Sequence, residues 1–305
     1  ENMAGAGNST GRRMVDSNKV PKVVGVLHGG FSGEREISQR TGHAVLEALG
    51  KRGYEAVSIP VERGNAWIST IQDVDTVFVA LHGKYGEDGS VQGILEMLGV
   101  PYTGSGVLAS ALAMNKPMAK RIWQSHHLPT PRWEIIDDKE NPGLAHLSYP
   151  VVVKPIAEGS SLGVSIVERG AQLTGAVKEA LLYDTACLVE EYIDGKEVTI
   201  GVLGNEPLGA MEVVAKGGFH SYEVKYTAGL EEFLMPARIP EETYKLAVTY
   251  AWRAHSTLGC RGYSRVDTRV AADGQIYLIE LNSLPGLTEL SYLPRIAAHR
   301  GLNYE

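Results

Sequence analysis

The stretch RVDTRVAADGQIYLIELN, residues 265–282, predicts a β-hairpin and sets the interpretation of the rest of the chain. The dipeptide Asp273-Gly274 lies between runs of alternating apolar residues, which is a strong hairpin signal. A two-residue turn at this dipeptide places Asp267 directly opposite Glu280. Because opposed carboxylates repel each other, this pairing destabilises the sheet unless a cation compensates it.

The predicted hairpin collects polar side chains on one face. Strand side chains alternate between faces, so one face carries Arg265, Asp267, Glu280 and Asn282, and the other face of the second strand carries Tyr277, Ile279 and Leu281. Carboxylate and amide oxygens are the ligands that Mg²⁺ prefers, usually completed by substrate phosphates and water. The alternative is a solvated polar face on which Arg265 neutralises Asp267, and spacing alone does not separate the two.

Composition excludes several classes of function. The chain has 305 residues, of which 44% are hydrophobic, so it is long enough for two or three domains. A net charge of −7 gives no globally basic surface for nucleic acid, and no apolar run approaches the roughly 20 residues of a membrane span. Cys187 and Cys260 match no metal or disulfide spacing, which indicates reduced thiols of a cytoplasmic protein.

The chain divides into a tail and three predicted domains. Residues 1–21 contain Gly, Ser and Asn but no apolar core of a secretory signal, so we expect a flexible tail or a cloning remnant. Strands alternate with helices in residues 22–104, which predicts a mainly parallel α/β domain. Residues 105–190 and 191–305 contain short strands with few helices, which predicts two α+β domains.

The segment VVVKPIAEGSSLGVSIV, residues 151–167, is a candidate phosphate site. Lys154 ends an apolar strand, and a Gly-containing loop leads to a second strand. Such a loop offers backbone N–H groups to phosphate oxygens, although it lacks the Gly-Lys-Ser/Thr of a P-loop and no helix follows it. We interpret it as a hairpin flap over a phosphate chain, and the alternative is an ordinary flexible hairpin with a surface lysine.

Two further loops follow strands of the first unit. They are HGGFSGEREIS (28–38) and LHGKYGEDGS (81–90). In an open parallel sheet both loops lie at the carboxyl edge, where ligands bind, so we expect His82 to approach Glu34. Glu34 either stabilises the helix dipole or binds a substrate ammonium, and a single histidine is more often structural than functional.

Six segments together resemble one protein family. HGGFSGEREIS, ALHGKYGEDGSVQGILEMLGVPYTGSG, VVVKPIAEGSSLGVS, EVKY, GYSRVD and IELNSLPGLTELS resemble D-alanine–D-alanine ligases of the ATP-grasp superfamily, in order from about residue 22 to residue 305. The resemblance implies three domains with ATP held between two α+β domains. It also implies a two-step reaction, in which ATP phosphorylates one D-alanine carboxylate and the amine of a second D-alanine displaces the phosphate.

The resemblance implies which residues bind Mg²⁺-ATP. Two Mg²⁺ ions, with Mn²⁺ as a possible substitute, would be held by Asp267, Glu280 and Asn282. The phosphates would be contacted by Lys116, Lys154 and Lys225. The adenosine would be held by Glu190, the backbone of Tyr192 and Ile193, and Glu197 at the ribose. Tyr192 stands where some members have Trp, so adenine packing is expected to differ here.

The resemblance also implies the amino-acid subsites. The first D-alanine would be bound by Glu34 with His82 nearby, and the site would be closed by Glu34, Ser160 and Tyr226. The oxyanion would be stabilised by Arg265 and the Gly286 backbone, and the second D-alanine would be bound by Ser291 and the Tyr292 backbone. Because relatives that make D-alanyl-D-lactate generally differ at Tyr226, this tyrosine favours an amine nucleophile.

Three other functions are alternatives to a D-alanine–D-alanine ligase. The nearest is an ATP-grasp ligase with D-serine, D-lactate or another amino acid as second substrate. A nucleotide-binding dehydrogenase predicts a dinucleotide fingerprint, which the sequence lacks. A non-catalytic amino-acid-binding module would not need the carboxylate pair and the lysines together. As partners we expect D-alanine, ATP and a second copy of the chain in a homodimer formed through the first domain, and neither nucleic acid nor a membrane.

Overall fold

The computed structural model describes residues 21–140, 142–204, 206–215 and 231–305. Nearly all of the predicted tail lies outside these residues, as do Lys225 and Tyr226, for which phosphate and substrate roles are predicted. Within the described ranges, no helix has both the length and the apolar character needed to cross a membrane.

The first unit is a three-stranded parallel sheet with the strand order β2-β1-β3, which confirms the α/β prediction. Its strands are β1 (Val23–Gly29), β2 (Glu55–Val61) and β3 (Thr76–Val79), and its helices are α1 (Arg35–Lys51), α2 (Ala66–Ile71) and α3 (Ser90–Leu98). The central strand is apolar and buried through most of its length, as expected for a strand covered on both faces. The loops that follow β1 and β3 therefore lie at the same sheet edge.

Two helices follow this unit, α4 (Val107–Met114) and α5 (Lys116–Ser125). Asn115 caps α5 by accepting a hydrogen bond from the Met118 N–H at 3.1 Å. Trp123 of α5 is fully buried, and its indole N–H donates to the Ala254 carbonyl at 3.3 Å. Although the sequence groups these helices with residues 105–190, they pack in the same apolar core as residues 198–281.

The second sheet has four antiparallel strands in the order β4-β7-β5-β6. Its elements are β4 (Trp133–Ile136), β5 (Val151–Pro155), β6 (Ser165–Val167), a short 3-10 helix (Gly170–Gln172), α6 (Leu173–Ala180) and β7 (Cys187–Glu191). One face of β5 and β7 packs against α6 through Val151, Val153, Val177 and Val189. The opposite face is left to line a cavity.

The third sheet has five antiparallel strands in the order β10-β9-β8-β11-β12. Its elements are β8 (Gly195–Leu203), β9 (Glu206–Ala215), β10 (Glu231–Leu234), α7 (Glu241–Thr257), β11 (Tyr263–Ala271), β12 (Ile276–Asn282) and α8 (Tyr292–His299). These two sheets with their helices confirm the α+β character predicted for the remainder of the chain.

The β11–β12 hairpin pairs Asp267 with Glu280, as predicted, but the predicted two-residue turn is wrong. Ala271 N–H donates to the Gln275 carbonyl at 2.9 Å, so three residues form the connection, with Gly274 at a φ of 84°. The register then shifts between Asp267 and Thr268, where Ile279 is the additional residue of a β-bulge. The longer turn shifts the strand pairing by one residue and the bulge shifts it back, so Asp267 still pairs with Glu280.

Because of the bulge, the side chains of β12 do not lie on the faces that the sequence predicts. Ile276, Leu278 and Leu281 are buried in the core, whereas Tyr277 and Ile279 are only partly buried. Ile279 lines the same cavity as Glu280, because a bulge places two successive side chains on one side of the sheet. The prediction that Tyr277 and Ile279 lie with Leu281 on the opposite face is therefore wrong.

Candidate active site

Glu34 lies at the N-cap position of α1 and is buried. Its Oε1 accepts a hydrogen bond from the Ser160 hydroxyl, whereas its Oε2 is buried with no hydrogen-bond partner among the described residues. A Cβ placed on Gly83 or Gly159 would lie 2.8 or 2.7 Å from this Oε2, so both loops need glycine there. A buried carboxylate oxygen without a donor is suited to an ammonium group.

His82 is buried in the loop that follows β3. Its Nε2 lies 2.8 Å from Thr41 Oγ1 and its Nδ1 lies 3.3 Å from Glu87 Oε1, so both ring nitrogens have protein partners. Burial raises the pKa of Glu87, although the hydrogen bond from His82 opposes this shift. Gly83 of the same loop lies against Glu34. The approach of His82 to Glu34 and its contact with a substrate stay predictions.

Three predicted residues of the hairpin face contact one another. Arg265 donates from Nε and Nη2 to the two oxygens of Asp267, at 2.9 and 2.8 Å. Asp267 also accepts from the Thr199 hydroxyl at 2.6 Å and from the Asn282 amide at 3.2 Å. The Arg265 and Asp267 side chains are only 10% and 13% exposed. Arg265 therefore neutralises Asp267, but this face is nearly buried rather than solvated.

Lys116 connects the flap with the hairpin. It is the first residue of α5, and its Nζ donates to the Glu158 carbonyl at 2.5 Å and lies 3.6 Å from Glu280 Oε2. Across the described part of the chain, no group of three or more His, Cys, Asp or Glu side chains forms a metal cluster. The hairpin instead offers two carboxylates and one amide, and this donor set fits a hard cation such as Mg²⁺.

Glu190 forms a buried charge cluster with two lysines. Its Oε1 accepts from Lys154 Nζ at 2.5 Å, and its Oε2 lies 2.7 Å from Lys120 Nζ. Burial alone would raise the pKa of Glu190, but Lys120 and Lys154 lower it to about 2. The carboxylate is therefore ionised at neutral pH, and both lysines are held in place by it.

A cavity between the four-stranded and five-stranded sheets brings most of the predicted nucleotide-binding residues together. The predicted residues in its lining are Lys116, Lys154, Glu190, Tyr192, Ile193, Glu197, Asp267 and Glu280. Val152, Val164 and Ile166 supply an apolar wall, as a flat aromatic base requires. Glu197 is 3.2 Å from Arg269, which also lines the cavity.

The predicted second-substrate residues lie at the start of α8. Ser291 Oγ accepts the Thr288 N–H at 3.1 Å, and a Cβ on Gly286 would lie 3.1 Å from this oxygen. The Tyr292 hydroxyl donates to Glu231 Oε1 at 2.7 Å, and the Arg265 guanidinium lies 5.2 Å from the Tyr292 ring centre. Burial raises the pKa of Tyr292, which keeps its hydroxyl protonated as a donor.

The sequence interpretation missed Lys120, Thr199 and Glu87. Lys120 follows Lys116 by four residues, which places both lysines on one face of α5. Trp123 is buried, and Lys120 lies on the same helix. Because a lysine is rarely fully buried without a partner, a lysine at such a position signals a nearby partner. Thr199 and Glu87 carry no comparable signal, since their contacts arise from strand register and loop packing.

Family models match two parts of the chain. Residues 122–305 match the model described as the D-ala D-ala ligase C-terminus, and residues 68–105 match the D-ala D-ala ligase N-terminus. The first match alone covers more than half of the 305 residues. The matched ranges include His82 and the hairpin at 265–282, whereas Glu34 and Lys116 lie outside both.

Relatives and solved structures agree with these models. The D-alanine–D-alanine ligase of Geotalea uraniireducens is 49% identical, over 95% of this chain and 94% of the relative. The crystal structure of the Bacillus anthracis D-alanine–D-alanine ligase complexed with ATP matches with a TM-score of 0.82 and 33% identity, over 93% of each chain. The VanG D-Ala:D-Ser ligase of Enterococcus faecalis matches with a TM-score of 0.80 and 31% identity, over 93% of this chain and 96% of that chain. This chain therefore belongs to the D-alanine–D-alanine ligase family and has its ATP-grasp fold.

Proposed function

We propose that this protein joins two D-alanine molecules to D-alanyl-D-alanine with conversion of ATP to ADP and phosphate, and that the dipeptide is a precursor for peptidoglycan. The observation that carries the proposal is the buried Oε2 of Glu34, which has no hydrogen-bond partner among the described residues and lies against Gly83 and Gly159. An ammonium group at this position would supply the missing donors. The flap that contributes Gly159 also lines the lysine-containing cavity, so an amino acid there would lie beside a nucleotide.

The proposed first step transfers the γ-phosphoryl group of ATP to the carboxylate of the first D-alanine. Lys116 and Lys154 are the described lysines that would hold the phosphates, and Lys225 would join them. Glu190, Tyr192, Ile193 and Glu197 would surround the adenosine. Catalysis of this kind consists mainly of positioning and charge stabilisation, so fixed cations matter more than a nucleophilic side chain.

In the proposed second step, the amine of the second D-alanine attacks the acyl phosphate and phosphate leaves. Arg265 and the Gly286 N–H would stabilise the oxyanion, while Ser291 and the Tyr292 backbone would bind the second carboxylate. The Ser160 hydroxyl, already hydrogen-bonded to Glu34, would help to close the site together with Tyr226. Closure matters because water competes with the amine for the acyl phosphate.

Asp267, Glu280 and Asn282 would hold two Mg²⁺ ions, with Mn²⁺ as a substitute. The fit rests on their oxygen donors and on the pairing of Asp267 with Glu280 across the hairpin. When bound, Mg²⁺ neutralises phosphate charge and orients the phosphates. Lys116 lies within 3.6 Å of Glu280 and would keep that carboxylate directed to the phosphate side of the cavity.

The direct test mixes the full chain with D-alanine, ATP and Mg²⁺ and measures phosphate and dipeptide. We expect phosphate release to depend on D-alanine and to match the dipeptide formed. A folded sample that releases no phosphate in response to D-alanine would contradict the proposal. Competition between D-alanine, D-serine and D-lactate as second substrates tests the alternative that the VanG likeness raises, and a dominant D-alanyl-D-serine product would favour it.

Three further proposals accompany this function. We propose three domains near residues 22–104, 105–190 and 191–305, supported by the three separate sheets. We propose a cytoplasmic location, where ATP is available. We also propose a homodimer, supported by exposed apolar side chains of the first half of the chain, namely Met97, Val107 and Leu108. Analytical ultracentrifugation of the wild type and of Leu108→Lys tests the dimer, because a charge in an apolar interface should favour the monomer.

A further inference from the structure

Lys120 is a buried charged side chain that the proposed mechanism does not use. It is 0% exposed, and its Nζ lies 2.6 Å from Thr130 Oγ1, 3.4 Å from the Leu278 carbonyl and 2.7 Å from Glu190 Oε2. It does not belong to the lining of the cavity, whereas Lys154 and Glu190 do. A fully buried lysine is costly unless it is paired, so its retention calls for a physical reason.

The charges of the cluster provide that reason. Lys154 and Glu190 alone form a neutral pair, and a neutral pair attracts phosphate weakly. Lys120 adds one positive charge, which gives the three side chains a net charge of +1 beside the cavity. It also occupies Glu190 Oε2, so that Lys154 is bound through Oε1 alone.

We infer that Lys120 is a positioning residue for nucleotide binding, which offsets the charge of Glu190 so that Lys154 presents a net positive charge to the phosphates. The inference rests on the proposed function, because that function supplies the phosphates. Lys120 acts through Glu190 and does not itself touch the nucleotide. Thr130 and the Leu278 carbonyl accept hydrogen bonds from the same ammonium and help to fix its position.

The experiment compares ADP with adenosine, because only ADP carries phosphate. Dissociation constants of both are measured by calorimetry on the wild type, Lys120→Met and the double variant Lys120→Met/Glu190→Gln. The ratio of the adenosine constant to the ADP constant isolates the phosphate contribution. Lys245→Met is the matched control, since Lys245 is exposed on α7 and pairs with Glu241 at 2.6 Å.

We expect Lys120→Met to lower this ratio by about tenfold or more, because one buried charge near the phosphates is lost. The double variant restores the net charge of +1 through Lys154 alone, so its ratio should return to within about threefold of the wild type. A purely structural role would weaken ADP and adenosine binding together and leave the ratio of their constants unchanged. Lys245→Met should leave the ratio unchanged.

Several results would overturn the inference. An unchanged ratio in folded Lys120→Met would do so, and so would a double variant that stays as low as the single one. If Lys120→Met does not fold, Lys120→Gln carries the test, because its neutral amide also removes the charge but can still donate a hydrogen bond, and its ratio should fall by the same factor. A wild type that binds neither ADP nor ATP would instead contradict the proposed function.

Discussion

Glu34 and Glu190 are both buried carboxylates beside the candidate active site, but they are partnered in opposite ways. Both oxygens of Glu190 form ion pairs with lysines, although only Oε1 accepts a hydrogen bond, whereas Glu34 Oε2 has neither an ion pair nor a hydrogen bond within the described residues. A fully compensated carboxylate belongs to the architecture that holds the site. A half-compensated one marks the position where a ligand completes the hydrogen bonding.

The largest expected effect follows from removing the charge of Glu190. Glu190→Gln leaves two buried lysines without their carboxylate, so the free energy of unfolding at pH 7 should fall by about 3 to 5 kcal/mol. Urea unfolding of the wild type and the variant measures the difference. Equal stability of the two proteins would mean that the cluster is not a structural unit.

The difference in the free energy of unfolding between the wild type and Glu190→Gln should become smaller at acid pH. The pKa of Glu190 is lowered from 4.5 to about 2, so its ionised form stabilises the fold above pH 4.5 and this stabilisation is lost as the pH falls toward 2. Glu190→Gln lacks this titration, so the stability gap between the two proteins should shrink over that window. A gap that stays constant from pH 5 to pH 2 would contradict the lowered pKa.

The second-largest effect is expected for Glu34→Gln, which should lower kcat/KM for D-alanine but not the free energy of unfolding. Glu34→Gln removes the charge that would bind the ammonium, and kcat/KM for D-alanine should fall by about 100-fold. Its free energy of unfolding should not fall, because a buried charge with an unpaired oxygen is also removed. Steady-state phosphate release together with urea unfolding separates the two expectations. Loss of stability comparable to that of Glu190→Gln would show that the two carboxylates do not differ as described.

The smallest expected effect tests the space around Glu34 Oε2. Gly159→Ala adds a methyl group 2.7 Å from this oxygen, so we expect KM for D-alanine to rise by about tenfold with a small change in kcat. Gly143→Ala is the matched control, since nothing lies within 4 Å of a Cβ at that position. A Gly159→Ala enzyme with the KM of the control would show that this oxygen is not part of the substrate site.

Some features of the hairpin beside the site were predictable from the sequence, and others were not. The Asp267–Glu280 pairing follows from strand alternation and the Asp-Gly turn, and it is correct although the turn length is wrong. The bulge at Ile279 was not predictable, because nothing local requires an extra residue on that strand. It matters for the site, since it turns Ile279 into the cavity beside Glu280.

The partners of a buried carboxylate are harder to predict than its presence. Glu34 belongs to a sequence motif, so its presence at the site was predictable. The surroundings of its Oε2 were not, because they are formed by Gly83 and Gly159, which lie 76 residues apart in the sequence. Lys120 on α5 reaches Glu190 on β7 of the four-stranded sheet across 70 residues of sequence. Such contacts are tertiary, so no window of sequence contains them.

The most direct test of the central claim measures how D-alanine binds to the complex with Mg²⁺ and a non-hydrolysable ATP analogue. Calorimetric titration should show tight D-alanine binding to the wild type and binding about 100-fold weaker to Glu34→Gln, with the affinity for the analogue unchanged in both. Equal D-alanine affinity in the two proteins would contradict the claim that the unpaired oxygen of Glu34 binds the substrate ammonium.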